Sequence, residues 1–320
     1  SKERILVTSA LPYANGPLHL GHIAGAYLPA DIYVRFQRLK GRDVVYICGS
    51  DEHGVPITVR AEREGVTPQD VVDRFHKRNK ESFSRLKIEF DNYSRTSLPL
   101  HHETAQDFFT AMYEKGDFVV REAEQYYSEK SDRFLPDRYV EGVCPYCDTE
   151  GARGDQCDNC GKWLQPGELK EAKSKIDGST PVLKKSKHWY LDMGRFAEEW
   201  KQWFDSREWP QNVRNYCLGW YNEGLGERPI TRDLNWGVPV PLKEVEGKNK
   251  VLYVWFDAPI GYISSTKEWA EKQGEPDKWK EYWCDDKTEM VHFIGKDNIV
   301  FHAILFPMML KEVGGYIRPQ

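Results

Sequence analysis

The feature that limits this chain most is the apolar run Ile5-Leu6-Val7-Thr8. It breaks into Pro12-Tyr13-Ala14-Asn15-Gly16-Pro17 and then His19-Leu20-Gly21-His22, just before a helical pattern begins. A strand, a glycine- and proline-rich loop and a helix start form the arrangement by which a parallel α/β sheet presents ligands at the carboxyl end of a strand. Ile23, Tyr27, Ala30 and Val34 share one helical stripe, which Gly41 stops. Val44-Val45-Tyr46-Ile47-Cys48 reads as a second strand, continuously apolar as buried parallel strands are. Thr67-Pro68-Gln69-Asp70 then predicts a helix with a cap residue, proline at the first position and an acid at the third. This alternation implies a parallel sheet with right-handed crossovers.

From about residue 116 the pattern changes. Val119 to Tyr127 reads as an exposed strand; a cysteine segment and Trp-rich amphipathic stretches such as Phe196-Ala197-Glu198-Glu199-Trp200 follow. The βα character returns with strands predicted at Val251-Leu252-Tyr253-Val254-Trp255-Phe256 and Met290-Val291-His292-Phe293-Ile294. Three segments result: 1–115, the first half of an α/β domain; 116–230, an insertion; and 231–320, the second half. The longest apolar stretch, Ile299 to Leu310, is too short for a membrane span and contains His302, so a buried helix is expected. Ser1-Lys2-Glu3-Arg4 is too short and polar for a signal peptide. A net charge of −5 does not mark the chain as a nucleic-acid binder. The densest basic stretch, Lys170 to Lys187, reads as a solvated face.

Cys144-Pro145-Tyr146-Cys147 and Cys157-Asp158-Asn159-Cys160 are paired C-x-x-C turns, with Gly161 just after the second. This spacing suits four thiolates around one structural zinc, with no open position for Lewis-acid chemistry. Disulfides are the competing reading. Metal spacing argues for a reducing compartment, hence a cytoplasmic location. Cys48, Cys217 and Cys284 lack partner spacing and are expected to be buried packing residues.

The histidine loop carries chemistry for a physical reason. A helix start offers free N–H groups and a positive dipole end to a phosphate, Gly21 clears the approach, and two imidazoles can donate to phosphate oxygens as charge builds. Two surface histidines near a turn are the plainer alternative.

The segment Ala10 to His22 resembles the "HIGH" signature of class I aminoacyl-tRNA synthetases in its methionyl form. Cys48-Gly49-Ser50-Asp51-Glu52-His53-Gly54, Trp255-Phe256-Asp257-Ala258-Pro259-Ile260-Gly261-Tyr262 and Phe293-Ile294-Gly295-Lys296-Asp297 with Phe301-His302 look like further blocks of that family, in order. The resemblance implies a Rossmann-like (HUP-type) parallel sheet split by an inserted zinc-knuckle connective domain (144–160). It also implies an activity: methionine and ATP, with Mg, give methionyl-adenylate, and the methionyl group then passes to tRNA(Met). Tyr13, Asn15, His19, Gly21, His22, Gly295 and Asp297 would bind ATP, with His19, His22 and Lys296 stabilising its phosphates. Asp51 would take the substrate ammonium and Arg232 would lie near its carboxylate. Leu11, Tyr13, Trp255, Ala258, Pro259 and Tyr262 would enclose the side chain, and His302 would close the end near the sulfur. Aromatic walls suit a polarizable thioether.

Each role has a plainer competitor. Asp297 could be the N-cap of the next helix, Arg232 could pair with Asp233, Lys296 could simply be exposed, and the aromatics could be core packing. Many relatives carry Trp four residues after the pocket histidine; Phe306 stands here, which alters the fit of an apolar wall. Isoleucyl, valyl and leucyl relatives insert a larger editing domain, and a cysteinyl relative would place zinc in the pocket. A small-molecule nucleotidyltransferase also uses a histidine-glycine-histidine loop, but the cysteine insertion and the Trp255 block speak against one. A zinc-ribbon RNA-binding module leaves the α/β segments unexplained. The chain stops at Arg318-Pro319-Gln320, before the family's Lys-Met-Ser-Lys-Ser loop, so the resemblance implies a truncated chain that binds methionine but activates it poorly.

Overall fold

The computed structural model describes residues 3–136, 139–154, 157, 159–161, 164 and 166–320. Ser1, Lys2 and Asp158, which figure in the sequence reading, lie outside them. The chain starts with β1 (Arg4–Ser9), a single turn α1 (Leu20–His22), a π-helical turn over Ile23–Tyr27 and α2 (Leu28–Leu39). Next come β2 (Asp43–Ser50), α3 (Val55–Glu64), α4 (Pro68–Arg85), β3 (Asn92–Arg95) and α5 (Pro99–Glu114). The expected cap of α4 is present as a reciprocal Thr67–Asp70 capping box. Gly41 adopts positive φ behind α2, and Tyr27, Ala30 and Val34 are buried against the strands.

The second part is antiparallel. It comprises β4 (Phe118–Ser128), β5 (Arg133–Phe134), β6 (Val140–Val143), β7 (Ala152–Arg153), β8 (Lys170–Ser174) and β9 (Val182–Asp192). After α6 (Ala197–Asp205) and α7 (Gln211–Glu223) comes β10 (Glu227–Pro229). One sheet runs β10-β9-β4-β5 and a smaller one β7-β6-β8, the latter carrying the cysteine segment. The Trp-rich helices do not stand apart. Trp200 and Phe204 of α6 are fully buried in the largest core cluster, and the Trp200 Nε1–H donates to the Ala303 carbonyl at 2.8 Å.

The chain then returns through β11 (Thr231–Asp233), β12 (Lys250–Leu252), α8 (Val254–Lys272), α9 (Trp279–Trp283), β13 (Thr288–Phe293) and α10 (Phe306–Val313). The main sheet is parallel, ordered β13-β1-β2-β3. The first and last segments therefore build one sheet, with β13 pairing β1 across the whole intervening chain. One predicted strand is corrected. The run from Val251 is a strand only to Leu252, antiparallel to β11, and α8 starts at Val254 with Trp255 and Phe256 in its first turn. Its apolar continuity reflects burial, which short runs of strand and helix share. Ile299 to Leu310 is helical as expected, opening with a π-helical turn over Phe301–Leu305. Among the described residues no helix is long and apolar enough to cross a membrane.

Candidate active site

A cavity of about 1200 Å³ opens at the carboxyl ends of β1, β2 and β13. Two loops meet on its floor: Tyr13 and Asp51 form a parallel bridge in which the Ala14 N–H donates to the Asp51 carbonyl at 2.8 Å and the Asp51 N–H to the Pro12 carbonyl at 3.0 Å. The backbone thus fixes both side chains before any ligand is considered. Gly54, just beyond, has φ of 100°, and a Cβ there would stand 2.9 Å from the Tyr13 hydroxyl, so only glycine lets the Tyr13 ring lie against this turn.

The cavity gathers most of the residues singled out from the sequence. Leu11, Tyr13, Asp51, Arg232, Trp255, Ala258, Pro259, Tyr262 and His302 line it, as do Gly21, His22, Gly295 and Asp297. Asn15, His19 and Lys296 are not among the lining residues. Asn15 meets Arg60 through its carbonyl. His19 is the exposed N-cap of α1 and stacks on His22 with ring centroids 3.6 Å apart. Burial, then the neighbouring His19, holds the His22 imidazole below its ordinary pKa. Lys296 is exposed on the 3-10 turn Lys296–Asn298. Asp297 is not the N-cap: Gly295 holds that position, and the Asp297 side chain is exposed at the cavity edge.

Asp51 is the cavity's unusual group. The residue is part-buried, but its Oδ1 is shut off from solvent and has no hydrogen-bond partner among the described residues. Burial, then the charge of Asp257, holds its pKa well above the ordinary carboxylate value. Burial and then Asp51 likewise raise the Tyr13 hydroxyl, which donates to the His53 carbonyl.

The apolar walls come from α8 and the π turn before α10. Pro259 sits inside α8, where it offers no N–H to the Trp255 carbonyl. Trp255 stacks on Phe301 at 3.8 Å between centroids, with planes 6° apart. His302 is buried, with its pKa lowered to about 4 by that burial. Its Nδ1–H donates to the Asn298 carbonyl at 2.9 Å, which leaves Nε2 to accept from the Tyr262 hydroxyl at 2.7 Å. Phe306 is fully buried beside Tyr262 and His292.

The expected alternative for Arg232 fails. Asp233 is taken by Lys250, by His188 at 3.0 Å and by Ser186 at 2.6 Å. Arg232 instead lies over the Tyr253 ring at 4.0 Å and donates to the Thr231 carbonyl, facing the cavity. A strand puts neighbouring side chains on opposite faces, so Arg232 and Asp233 could not both point to one partner. Sequence reasoning missed the far wall, where Gln125, Phe134, Leu135, Pro136, His188 and Tyr190 come from the antiparallel sheet. No local signal marks these residues, because β4 and β9 face the cavity only through tertiary packing.

The four cysteines converge as their spacing predicted. Their sulfurs lie within 4.8 Å of one another, with Cys144–Cys160 at 3.8 Å and Cys147–Cys157 at 3.7 Å. A tetrahedral ion with Zn–S bonds near 2.3 Å has S···S edges of about 3.8 Å, whereas a disulfide needs about 2.0 Å. The sulfurs are spaced for a metal ion. Hydrogen bonds from Thr149 and Asn159 lower the Cys147 thiol pKa, which favours the thiolate form that a metal ion binds. Cys48 and Cys217 are buried as expected; Cys284 is not, being exposed after α9.

Gly21 and His22, in the loop at the carboxyl end of β1, thus share one aromatic-walled cavity with the carboxyl of Asp51. The family described as tRNA synthetases class I (M) matches residues 5–320, and the chain belongs to it. A methionine–tRNA ligase of Chloroherpeton thalassium is 59% identical over 310 residues, covering 96% of this chain and 44% of the relative. One from Bacteroides fragilis is 57% identical over 319 residues, covering 99% of this chain and 46% of the relative. The chain therefore spans about half the length of the curated relatives it matches. A Mycobacterium tuberculosis methionyl-tRNA synthetase solved with methionyl-adenylate superposes with a TM-score of 0.72 at 26% identity, covering 99% of this chain and 56% of that one.

Proposed function

We propose that this chain is the methionine- and ATP-binding part of a methionine–tRNA ligase. The observation that carries this reading is Asp51, a carboxyl with one buried, unpaired oxygen between aromatic and apolar walls. Such a group is costly unless a cation meets it. The substrate ammonium is that cation, and Leu11, Tyr13, Trp255, Ala258, Pro259 and Tyr262 enclose the thioether, with His302 at its end. Its fixed tautomer presents a neutral ring to the sulfur. Arg232 draws the substrate carboxylate toward the cavity mouth.

ATP, taken as its magnesium complex, lies along Gly21, Gly295 and Asp297, with Asp297 on the ribose and Tyr13 and Asn15 at the turn. The methionine carboxylate attacks the α-phosphorus, a mixed anhydride forms and pyrophosphate leaves. His22 and His19 donate to the phosphate oxygens as charge builds, aided by Lys296. The adenylate then passes its methionyl group to the 3′ end of tRNA(Met). The relatives' names and the methionyl-adenylate bound to the solved neighbour support this sequence of steps. ATP–pyrophosphate exchange by the native protein containing this sequence, tested across a panel of amino acids, should respond to methionine alone. Equal exchange with leucine or isoleucine would overturn the assignment.

The same reading divides the chain into 1–115 and 231–320, two halves of one Rossmann-like catalytic domain, and 116–230, a connective insertion. Cys144, Cys147, Cys157 and Cys160 hold one structural zinc, which braces the small sheet, and the protein works in the reducing cytoplasm. The knuckle's core packs on Val55 and Val59 of α3, and Val55, Leu135 and Leu164 of that cluster also reach the cavity, on the side opposite the main sheet's strand ends. Protein purified without chelators should contain one zinc per chain. Cys144→Ser or Cys157→Ser should lower the unfolding temperature by about 5 °C or more, at roughly 2–4 °C per kcal/mol for a chain of this size, while methionine affinity changes little. Zinc-free native protein, by elemental analysis, would end this assignment.

A further inference from the structure

Trp236 lines the cavity on the bend 235–237, which follows β11 and lies just beyond Arg232. Its indole Nε1–H donates to the Glu52 carbonyl at 2.6 Å. The two residues stand 184 positions apart in the chain, and Glu52 is the immediate neighbour of Asp51. One hydrogen bond therefore joins the segment that carries Arg232 to the loop that carries Asp51.

The acceptor is held on every side. Glu52 is fully buried, and its own N–H donates to Thr96 Oγ1 at 2.9 Å. Oε1 accepts from Ser50 Oγ at 2.6 Å and from Arg95 Nε at 2.9 Å, and Oε2 accepts from the Ser97 hydroxyl. These partners belong to β2, β3 and the turn after β3, so the carbonyl is fixed to the strand ends of the main sheet. The donor belongs to a different unit. Leu234 N–H donates to the Asn249 carbonyl at 2.9 Å and Leu252 N–H to the Val238 carbonyl at 2.7 Å, which binds β11, the bend and β12 together. A second tie from this unit to the first segment, Gln106 to the Pro239 carbonyl at 2.9 Å, ends on α5 and not on the floor loops. The Trp236 ring itself is part-buried, meets His53 edge-on at 6.1 Å between centroids and packs on the cluster of Ile57 and Phe75.

In an α-amino acid the ammonium and the carboxylate share one carbon, so the groups that receive them must stand at one spacing. Asp51 and Arg232 line the same cavity but come from the two separate units. We propose that Trp236 is a positioning residue that sets this spacing: its bond to Glu52 holds the Arg232 unit against the Asp51 floor, so that the carboxylate is read together with the ammonium. The proposal rests on the reading of Asp51 and Arg232 as the partners of the substrate's two charges. It makes the preference for an α-amino acid over the matching amino alcohol a property of Trp236 as well as of Arg232. An indole N–H is a donor only, and phenylalanine keeps an aromatic ring without it. Trp236→Phe thus cuts the tie and leaves an apolar wall. Glu52 and Asp51 stay in place, because the remaining bonds to Glu52 are untouched.

Calorimetry with methionine and with methioninol, which has the ammonium and the thioether but no carboxylate, reads the two ends separately. In the native protein containing this sequence, Trp236→Phe should weaken methionine about tenfold, the scale of one net hydrogen bond, and methioninol less than about twofold. Arg232→Ala should show the same split. Adding Trp236→Phe to Arg232→Ala should weaken methionine by less than about twofold more, since no guanidinium is left to place. Methioninol binding also reports that the floor of each variant is folded. A role in folding or in the wall alone would weaken both compounds alike and add to the effect of Arg232→Ala, and that result overturns the inference. So does a Trp236→Phe protein that binds methionine as the native protein does. Failure of the function reading shows differently: Arg232→Ala or Asp51→Asn would then bind methionine normally.

Discussion

Asp51→Asn is expected to weaken methionine binding by roughly thirty- to several-thousand-fold, the 2–5 kcal/mol typical of removing one partner from a buried charge pair. The amide fills the same space and can still hydrogen-bond, so the loss reports charge and not shape. The pH dependence has a definite sign. Below the Asp51 pKa a proton competes with the ammonium, so affinity falls as pH drops through it. Because burial and Asp257 raise that pKa, the acid limb should lie above the range of an ordinary carboxylate. Calorimetry as a function of pH measures both effects. An unchanged dissociation constant in the variant would remove Asp51 from the site.

His22→Ala should reduce the turnover of adenylate formation by about 10²–10³-fold while changing the Michaelis constants for methionine and ATP much less. His22 lines the cavity, at the end of a one-turn helix that follows β1 after the loop 10–19. His19 caps that turn and stacks on His22, so His19→Ala should reduce turnover and also disturb the turn. Its effect would not separate chemistry from position as cleanly. Pyrophosphate exchange under saturating and limiting substrate distinguishes the cases. A His22→Ala effect confined to the Michaelis constants would make the residue a ground-state contact.

Much of this was legible in the sequence where local chemistry is enough. The capping box at Thr67, the stop at Gly41, the buried strands of the main sheet and the paired cysteine turns are all decided by neighbours a few residues away. Most of the motif residues also converged on the cavity, because glycine, proline and histidine at fixed spacing leave the backbone few options, while Asn15, His19 and Lys296 do not line it. Errors arose where burial imitates propensity or where a partner is remote. Val254 to Phe256 is apolar enough for a strand but begins a helix, and Arg232 and Asp233, adjacent in sequence, take separate partners, Tyr253 for the one and Lys250 and His188 for the other. Cys284 is small and apolar yet exposed. The contacts of Asp257 with His53 and His101 had no local signal, since those partners lie 204 and 156 residues away. The far wall of the cavity left no local trace at all.

The most direct measurement is a crystal structure of this protein with a stable sulfamoyl analogue of methionyl-adenylate. The account expects the ammonium on Asp51 and the thioether among Tyr13, Trp255, Tyr262 and His302. It places the sulfamoyl group beside Gly21 and His22, and the adenosine along Gly295 and Asp297. An analogue bound with its amine away from Asp51, or with its adenosine outside the Gly21–His22 and Gly295–Asp297 edge, would contradict it.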